Sequence, residues 1–487
     1  MHIHSGIKNT AVILFFFCAV SAVHANGLSI TNVALTNVNS GVADIQFDLS
    51  WSNSWNAVVP EVGSTNQSWD AVWVFAKFRV SGGPWKHALL SPTGHTATGG
   101  SLIEVGANPG GTNVGAFVRR AEINTWGTQT CPSMRLNWNY ALNGLAGTNA
   151  VDISVLGIEM VYCCTGTFAL GSDTDSGTFF EAPSSNLRYR VQSEGAILYG
   201  TTAGYLCHQN IIQYGDLAGP IPDAFPKGYR AFYCMKYEIS QGQYTDFLQL
   251  LDAGLALTNF PNKAGSSRHT IGWNGSTYTN GVLDRACNFL TWANIRTYLD
   301  WAGLRPMTEL EFEKICRGSL TAVAGEFAWG DAAFVKATSY LGTDGGGSET
   351  VSPTNANIFA ENGVGPARVG IFATTTSTRR EAGAAYCGAM EMSGNLWEIV
   401  VTPCHATGRL FTGVHGDGDP YTEPTNWPTV SLAGLGARGG AHDGLGSSLF
   451  RCHTSDRWLI RDPGYYITPT PAIGGYSAGG RGVRTAP

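Results

Sequence analysis

Charged side chains are scarce in this chain, since only 14% of its 487 residues are Asp, Glu, Lys or Arg. Its 30 basic residues are outnumbered by 36 acidic ones, which disfavours non-specific binding to nucleic-acid phosphates. Beyond the N-terminal segment no apolar run is long enough to span a bilayer. We therefore expect no nucleic-acid partner and no membrane span.

Glycine and aromatic residues, by contrast, are abundant: the chain has 62 Gly, 14 Trp, 18 Tyr and 22 Phe. Glycine permits the backbone conformations that tight turns need, and a disordered chain would not carry so many aromatic rings. The length suggests two or three domains. The composition thus predicts a folded, loop-rich protein that contains strands.

The N-terminal segment is typical of a secretory signal peptide. Lys8 precedes the apolar run Ala11–Val20, and Val23-His24-Ala25 has the small-residue spacing of a cleavage site. We therefore expect residues 1–25 to be removed and a bacterial protein that is secreted to the cell surface or the medium, or held in the periplasm. Ten of the 11 cysteines would remain. They permit disulfides without specifying their pairing, or pack as buried hydrophobic residues.

Residues 26–156 carry strand signals. Ile45, Phe47, Leu49 and Trp51 alternate with polar residues, and a second alternation covers 72–80. Turn-rich segments separate these runs. This region is predicted to be a β-sandwich.

Helical signals begin after Gly157. Ser240 with Gln243 and Thr308 with Glu311 have the spacing of capping boxes, and an apolar stripe from Trp292 to Ala302 ends at Gly303. Residues 157–487 are therefore predicted to form an α+β domain.

An ordered series of motifs in this second region resembles the formylglycine-generating enzyme (sulfatase-modifying factor) domain family. The motifs that carry the resemblance are Glu159-Met160-Val161, Gly166-Thr167-Phe168, Lys236-Tyr237-Glu238-Ile239, the segment 301–312, Trp329-Gly330-Asp331, the segment 392–398, Arg438-Gly439-Gly440 and Gly482-Val483-Arg484. The resemblance implies a decorated C-type-lectin-like α+β fold. One fold hosts many functions, so it does not by itself imply the activity.

The family's oxidising enzymes carry two cysteines after the Arg-Gly-Gly run, which bind copper and attack the substrate. At the same offsets this chain has Gly444 and Leu449, and neither supplies a thiolate. Related sulfoxide synthases hold iron with histidines in an HxxxHxE pattern, which is absent here. We therefore predict no catalytic residues. Cys452 with His453 and Cys404 with His405 are candidate substitutes, because a thiolate and an imidazole suit a soft metal or a Cys-His nucleophile. For Cys452, next to Arg451, a buried or disulfide-bonded cysteine is the favoured interpretation.

The resemblance also implies structural calcium. One site would use the Glu398 carboxylate with carbonyl oxygens of Ser393, Gly394 and Leu396, because Ca²⁺ takes six to eight oxygen ligands. The alternative for Glu398 is a pairing with an arginine. A second site would use Asn357 and Ile358.

The stretch between the Arg-Gly-Gly run and the C-terminal motif mixes aromatic with short polar residues, a composition that suits adaptable recognition. The predicted binding-surface residues are His442, Asp443, Ser447, Trp458, Tyr465, Tyr466 and Tyr476. An ordinary exposed loop is the alternative.

From these observations we expect a secreted, non-catalytic lectin-like protein that binds a surface ligand, whether glycan, peptide or protein, or that assembles into a homo-oligomer, fibre or layer. Exposed strand edges can pair between copies. Two alternatives stay open. The first is a metal-dependent oxidase or sulfoxide-forming enzyme of the formylglycine-generating-enzyme superfamily, and the second is an enzyme-accessory protein that holds a peptide.

Overall fold

The computed structural model describes residues 27–58, 67–108, 111–147, 149–172, 174–175, 177–209, 215–345, 347–361, 363–422, 424–429, 433–443, 449–460 and 475–487. The predicted signal peptide, residues 1–25, lies outside this range. Across the described residues the chain is mostly sheet, with five α-helices of ten residues or fewer. This mostly-sheet content is consistent with the expected formylglycine-generating-enzyme-like domain.

The strands are β1 (Ser29–Asn39), β2 (Val42–Val58), β3 (Gln67–Val80), β4 (Lys86–His87), β5 (Ser101–Ala107), β6 (Asn113–Arg120), β7 (Thr125–Trp138), β8 (Val151–Cys163), β9 (Phe168–Leu170), β10 (Phe179–Glu181), β11 (Tyr189–Val191), β12 (Leu206–His208), β13 (Phe232–Met235), β14 (Gly272–Trp273), β15 (Tyr278–Thr279), β16 (Arg305–Pro306), β17 (Ser339–Leu341), β18 (Thr350–Ser352), β19 (Trp397–Val401), β20 (Leu435–Arg438), β21 (Ala478–Gly479) and β22 (Gly482–Thr485). The α-helices are α1 (Gln241–Gln249), α2 (Ala253–Asn259), α3 (Trp292–Trp301), α4 (Glu309–Arg317) and α5 (Ala406–Arg409). Two 3-10 helices cover Leu449–Cys452 and Trp458–Ile460.

One large sheet runs through the molecule. Its main path is β1-β2-β3-β8-β13-β22-β16, while β4 and β6 pair with β3, β5 pairs with β6, and β7 pairs with β2. A separate three-stranded sheet places β19 between β20 and β21. The predicted boundary at residue 157 falls inside β8, which pairs with β3 on one side and β13 on the other. The domain division stays a prediction.

The strand predicted around residues 45–51 is confirmed within β2, where Ile45, Phe47, Leu49 and Trp51 are buried and alternate with partly exposed residues. Together with Val72, Val74 and other apolar residues they form one core cluster. An N-terminal β-sandwich is compatible with this arrangement.

Both faces of β3 are buried. Val74 belongs to the N-terminal core, whereas Trp73 and Phe75 belong to the core that also contains Trp301 and Ala302 of the α3 region. Trp73 Nε1 donates to Ala302 O at 2.8 Å. A strand buried on both faces lies between two layers, so β3 joins the N-terminal strands to the helical region.

The predicted helix starts are confirmed. Ser240 and Gln243 form a capping box before α1, and Thr308 and Glu311 form another before α4. The apolar stripe starting at Trp292 is α3, and Gly303 follows its end with φ +68°. Reciprocal capping satisfies two backbone N–H groups that would otherwise lack partners.

The structure also bears on the expectations for the cysteines and for membrane-spanning helices. The ten described cysteines are free, and all except Cys164 are buried, as small hydrophobic residues would be. Within the described part of the chain, no helix is both long and apolar enough to cross a membrane.

We predict that Gly115→Ala destabilises the protein by about 1–3 kcal/mol, because an added Cβ meets both the Trp73 ring and a backbone oxygen. The new atom would lie 2.6 Å from Trp73 Cζ2 and 2.8 Å from Val74 O. Chemical denaturation measures the loss. Gly281→Ala is the control, since its Cβ would lie 3.6 Å from the nearest atom, Thr270 Cβ. Equal stability of the two variants would contradict the tight contact.

Candidate functional site

A buried network of arginines and glutamates lies behind the segment that follows the Arg-Gly-Gly run. Arg438 donates to Glu309 and Glu313 at 3.1 Å each, and Arg457 binds both oxygens of Glu309 at 3.0 and 3.1 Å. Arg317 adds a bond to Glu313 at 3.1 Å. The glutamates project from α4, so that helix holds the arginines together.

Arg317 also donates to Glu326, so the network joins three arginines to three glutamates and its charges balance. Burial by itself raises the pKa of Glu309, but Arg457 and Arg438 lower it, and the pKa lies below its ordinary value. The pKa of Glu313 is likewise lowered, with Arg438 and Arg317 outweighing burial. The two carboxylates are therefore ionised at neutral pH and keep their partners bound.

The network fixes the path of residues 453–457. Arg438 Nη2 donates to Thr454 O at 2.6 Å, and Ser455 Oγ donates to Glu313 at 2.9 Å. Thr454 N also donates to Glu326 O at 2.9 Å. His453, inside this segment, therefore has a fixed backbone position.

A cavity of about 610 Å³ opens beside this segment. His453, Asp175, Arg451 and Asp456 contribute its polar groups, and Phe327, Phe334 and Phe450 contribute aromatic walls. Phe334 and Phe450 are 42% and 65% exposed, which places them at the rim rather than in the core. A concave site with aromatic walls and a few convergent polar groups is typical of small-molecule binding.

His453 and Asp175 form a hydrogen-bonded pair in this cavity. Asp175 Oδ1 lies 2.7 Å from His453 Nδ1, although the residues are 278 positions apart in the sequence. Both side chains are more than nine-tenths buried, and the Phe327 ring meets the imidazole edge-on at 4.8 Å. Asp175 Oδ2 is buried without a hydrogen-bond partner. The site therefore offers an oriented imidazole and an unsatisfied carboxylate oxygen.

Arg451 and Asp456 form the second polar pair of the cavity. Arg451 Nη1 donates to Asp456 Oδ2 at 3.0 Å, and its guanidinium stacks 4.4 Å from the Trp458 ring. Burial raises the pKa of Asp456 to about 6, although Arg451 opposes the shift. The charge of the cavity therefore changes in a mildly acidic range.

One of the two positions at the offsets of the expected cysteines lies at this cavity. Leu449 lines the cavity, while Gly444 lies outside the described residues. The two Cys-His combinations do not become reactive pairs: Cys452 is buried, with a pKa raised by burial, and Cys404 Sγ accepts from Tyr199 Oη and Arg457. His405 instead caps α5.

Of the ligands predicted for the first calcium site, only the Glu398 carboxylate is seen to be paired. The bonds of Ser393, Gly394 and Leu396 use a hydroxyl or N–H groups, not the carbonyl oxygens that were expected to bind the ion. Glu398 Oε1 accepts from Arg481, and the Leu396 N–H donates to Glu238. Ser393 Oγ accepts from Ala328 N and donates to Cys452 O. Gly394 is held by a bond from its N–H to Gly439 O.

At the second predicted calcium site, Asn357 Oδ1 accepts from Val335 N, and Ile358 O accepts from Ala337 N. Across the described ranges, no three His, Cys, Asp or Glu side chains are grouped so as to hold a metal ion. Calcium at either site stays a prediction.

The predicted binding-surface residues are distributed between several environments. His442 is fully buried and its ring lies beside Tyr476 O, so its side chain does not face solvent. Asp443, Trp458 and Tyr476 are partly exposed. Ser447, Tyr465 and Tyr466 lie outside the described residues.

The sequence alone did not reveal Asp175. It lies in a turn before β10, with no motif around it and no regular spacing to His453. Only the closeness of this turn to residues 449–456 in the fold brings the two groups together. From the sequence, the only partner expected for His453 is its neighbour Cys452.

The part of the chain that carries much of this site is similar to a known domain family. Residues 212–449 match the family described as sulfatase-modifying factor enzyme 1-like domain. The predicted resemblance is thereby confirmed over that range.

Two proteins to which this chain is similar are named hercynine oxygenase. The one from Mycolicibacterium thermoresistibile is 31% identical over 121 residues, 25% of this chain and 21% of that protein. The one from Mycobacterium tuberculosis is 28% identical over 153 residues, 31% of this chain and 29% of that protein. This chain thus matches less than a third of the length of either relative.

These relatives correct the functional prediction made from the missing cysteines. Both are named as oxygenases, which are enzymes, and this overturns the non-catalytic lectin-like binding or structural protein. The enzyme alternative is favoured instead. The prediction was wrong because the absence of the two cysteines excludes catalysis by a thiol pair. It does not exclude other reactions in the same pocket.

We predict that Arg457→Leu lowers the free energy of unfolding by about 3–5 kcal/mol. The substitution removes a positively charged partner of Glu309, whose buried negative charge is then only partly neutralised. Urea denaturation followed by fluorescence measures the change. The surface pair of Arg79 and Asp152, at 2.7 Å, supplies the control, and Arg79→Leu should cost at most about 1 kcal/mol. A loss at Arg457 no larger than at Arg79 would show that the network does not support the fold.

Proposed function

We propose that this chain is an oxygen-using enzyme of the formylglycine-generating-enzyme superfamily, an oxidase or oxygenase, with the His453 cavity as its active site. The observation that carries the proposal is the His453–Asp175 pair at 2.7 Å inside a cavity of about 610 Å³. That cavity is lined by Leu449, which stands at the offset of a catalytic cysteine in the family's oxidising enzymes. The names of the relatives support the reaction class.

The geometry suits His453 for proton transfer. Asp175 next to Nδ1 favours the tautomer in which Nδ1 carries the proton and donates it to the carboxylate. Nε2 is then the basic nitrogen, able to take a proton from a thiol or other acidic group of a bound substrate. Asp175 stabilises the imidazolium that results, as carboxylates do in other His–Asp pairs.

The walls of the cavity favour a substrate with a cationic group. Phe334 and Phe450 are exposed aromatic rings at the rim, and the face of such a ring attracts cations through its quadrupole. Asp175 Oδ2, buried and without a hydrogen-bond partner, supplies a negative acceptor nearby. Arg451 can bind an acidic group at the other end of the same molecule.

Oxidation by O₂ in this superfamily uses a metal, so the donor set of the cavity is relevant. Among the residues that line it, His453 Nε2 and Asp175 Oδ2 are suitable donors, whereas both oxygens of Asp456 already accept, from Arg451 and from the Trp458 N–H. Two groups do not complete a transition-metal centre. The described residues therefore do not fit a resident metal by themselves. The proposal gives His453 and Asp175 roles in proton transfer and substrate binding, not in metal ligation.

Two finer features belong to the same proposal. The region from about residue 157 onward is proposed to be a decorated C-type-lectin-like α+β domain, as the ordered motifs and the capped helices suggest. Export from the cytoplasm is proposed from residues 1–25. N-terminal sequencing of the mature protein tests the second feature.

The proposed activity is tested by oxygen uptake with hercynine and with a thiol-containing peptide, each supplied with and without iron(II) or copper(I). We expect His453→Asn and Asp175→Asn to lower turnover by about 10²-fold or more, since both remove the oriented base. His405→Asn is the matched control, because Asn is also a good N-cap and α5 lies outside the cavity. Absence of uptake by the wild type with both substrates under every metal condition would refute the proposal.

We also predict that binding of a quaternary ammonium probe such as choline strengthens as pH rises through about 6. Asp456 is neutral below its raised pKa of about 6 and negative above it, so the attraction for a cation grows with pH. The affinity, measured by calorimetry, should increase by up to about tenfold. Asp456→Asn should lose this pH dependence. An unchanged profile in that variant would assign the effect to another group.

A further inference from the structure

A buried guanidinium is paired with the carboxylate that the family resemblance assigns to a calcium ion. Arg481, 1% exposed, stands one residue before β22 and points at the loop that leads into β19. Its Nε lies 2.7 Å and its Nη2 lies 2.6 Å from Glu398 Oε1. Glu398 is the carboxylate expected to anchor the ion.

The remaining donors of Arg481 meet backbone oxygens. Nη2 donates to Met390 O at 2.7 Å, and Nη1 lies 3.1 Å from Met235 O and 3.3 Å from Lys236 O. The guanidinium thus joins β13, the 390–398 loop and β22. One carboxylate and several converging carbonyls are the oxygen environment that Ca²⁺ takes in proteins.

The Nη2 atom of Arg481 lies at a position that would suit a calcium ion. This nitrogen lies 2.6 Å from Glu398 Oε1 and 2.7 Å from Met390 O. Ca²⁺ binds oxygen at 2.3–2.6 Å, so an ion at the place of Nη2 would have these same two oxygens as ligands after small shifts. A guanidinium and an ion cannot both occupy that place.

Further oxygens face this region without partners. Glu398 Oε2 and Glu391 Oε2 are both buried and lack hydrogen-bond partners. With Arg481 present, a divalent ion at these oxygens would be repelled by the adjacent guanidinium charge in a medium of low dielectric constant. With Arg481 removed, the same oxygens would add to the ligand set.

We propose that Arg481 replaces the structural calcium ion in this loop, so that the protein carries its own cation there and is calcium-independent at Glu398. The replacement is independent of the chemistry proposed for the His453 cavity. Arginine suits the task because it keeps its charge and presents five N–H donors in a fixed plane.

The wild-type protein gives the first test. We expect purified full-length protein to contain no stoichiometric calcium by elemental analysis. Excess chelator or millimolar calcium should move its melting temperature by less than about 1 °C, since a ligand that does not bind cannot stabilise the fold. Stoichiometric calcium, or a clear fall in melting temperature with chelator, would overturn the proposal.

The second test removes the guanidinium. Arg481→Met keeps the length of the side chain and frees the oxygens, so its melting temperature should rise by several degrees in millimolar calcium and return with chelator. Arg409→Met is the matched control, since that arginine pairs with Asp216 at 2.6 Å away from this loop, and it should not respond to calcium. A folded Arg481→Met protein that ignores calcium would contradict the replacement.

Arg481→Lys provides a third arm in case the methionine variant does not fold. It retains a cation beside Glu398 and should fold without a response to calcium. Calcium-dependent melting of this variant would show that positive charge does not exclude the ion, and would overturn the proposal. The wild-type measurements decide the question whether or not either variant folds.

Discussion

The network of Glu309 and Glu313 with Arg438, Arg457 and Arg317 is the interaction on which the candidate site depends. These side chains are buried, so each charge would be costly without its partner. Because Arg457 binds Glu309 bidentately and Arg438 joins two glutamates of α4, the network constrains how α4, β20 and residues 453–457 pack together. The His453 ring is placed by this arrangement.

Strand β3, which is buried on both faces, likewise holds larger parts of the molecule together. Its register with β8 runs from Asp70 and Val161 to Val80 and Val151, and β8 continues into pairing with β13. The N-terminal strands therefore extend the sheet that carries the C-terminal motifs. In this chain Lys77 adds a polar link, since its Nζ donates to Trp301 O at 2.7 Å and Gly418 O at 2.9 Å.

At two places the structure holds a group other than the one that the family resemblance implied. Leu449 lines the cavity at the offset of an expected cysteine, and His453 and Asp175 supply ionisable groups there. At the predicted calcium loop, Arg481 is paired with Glu398, the carboxylate expected to bind the ion. At both places buried arginines bind backbone oxygens and so hold the surrounding chain.

Local structure and family were determined by the sequence itself. Capping at Ser240 and Thr308, the apolar stripe of α3 and the alternation of β2 depend on neighbours within a few positions, so they can be deduced from the chain directly. The ordered motifs indicated the domain family for a related reason, since they carry its turns and charged core.

Only the tertiary structure decided which distant groups meet. Asp175 lies 278 positions before His453, and no period or motif links them. Arg481 reaches Glu398 across 83 positions because β21, which ends two residues before Arg481, pairs with β19 and sets Gly479 opposite Glu398. Contacts of this kind depend on how whole helices and strands pack. The positions of these elements are set by the burial of many side chains together, not by the residues that make the contact.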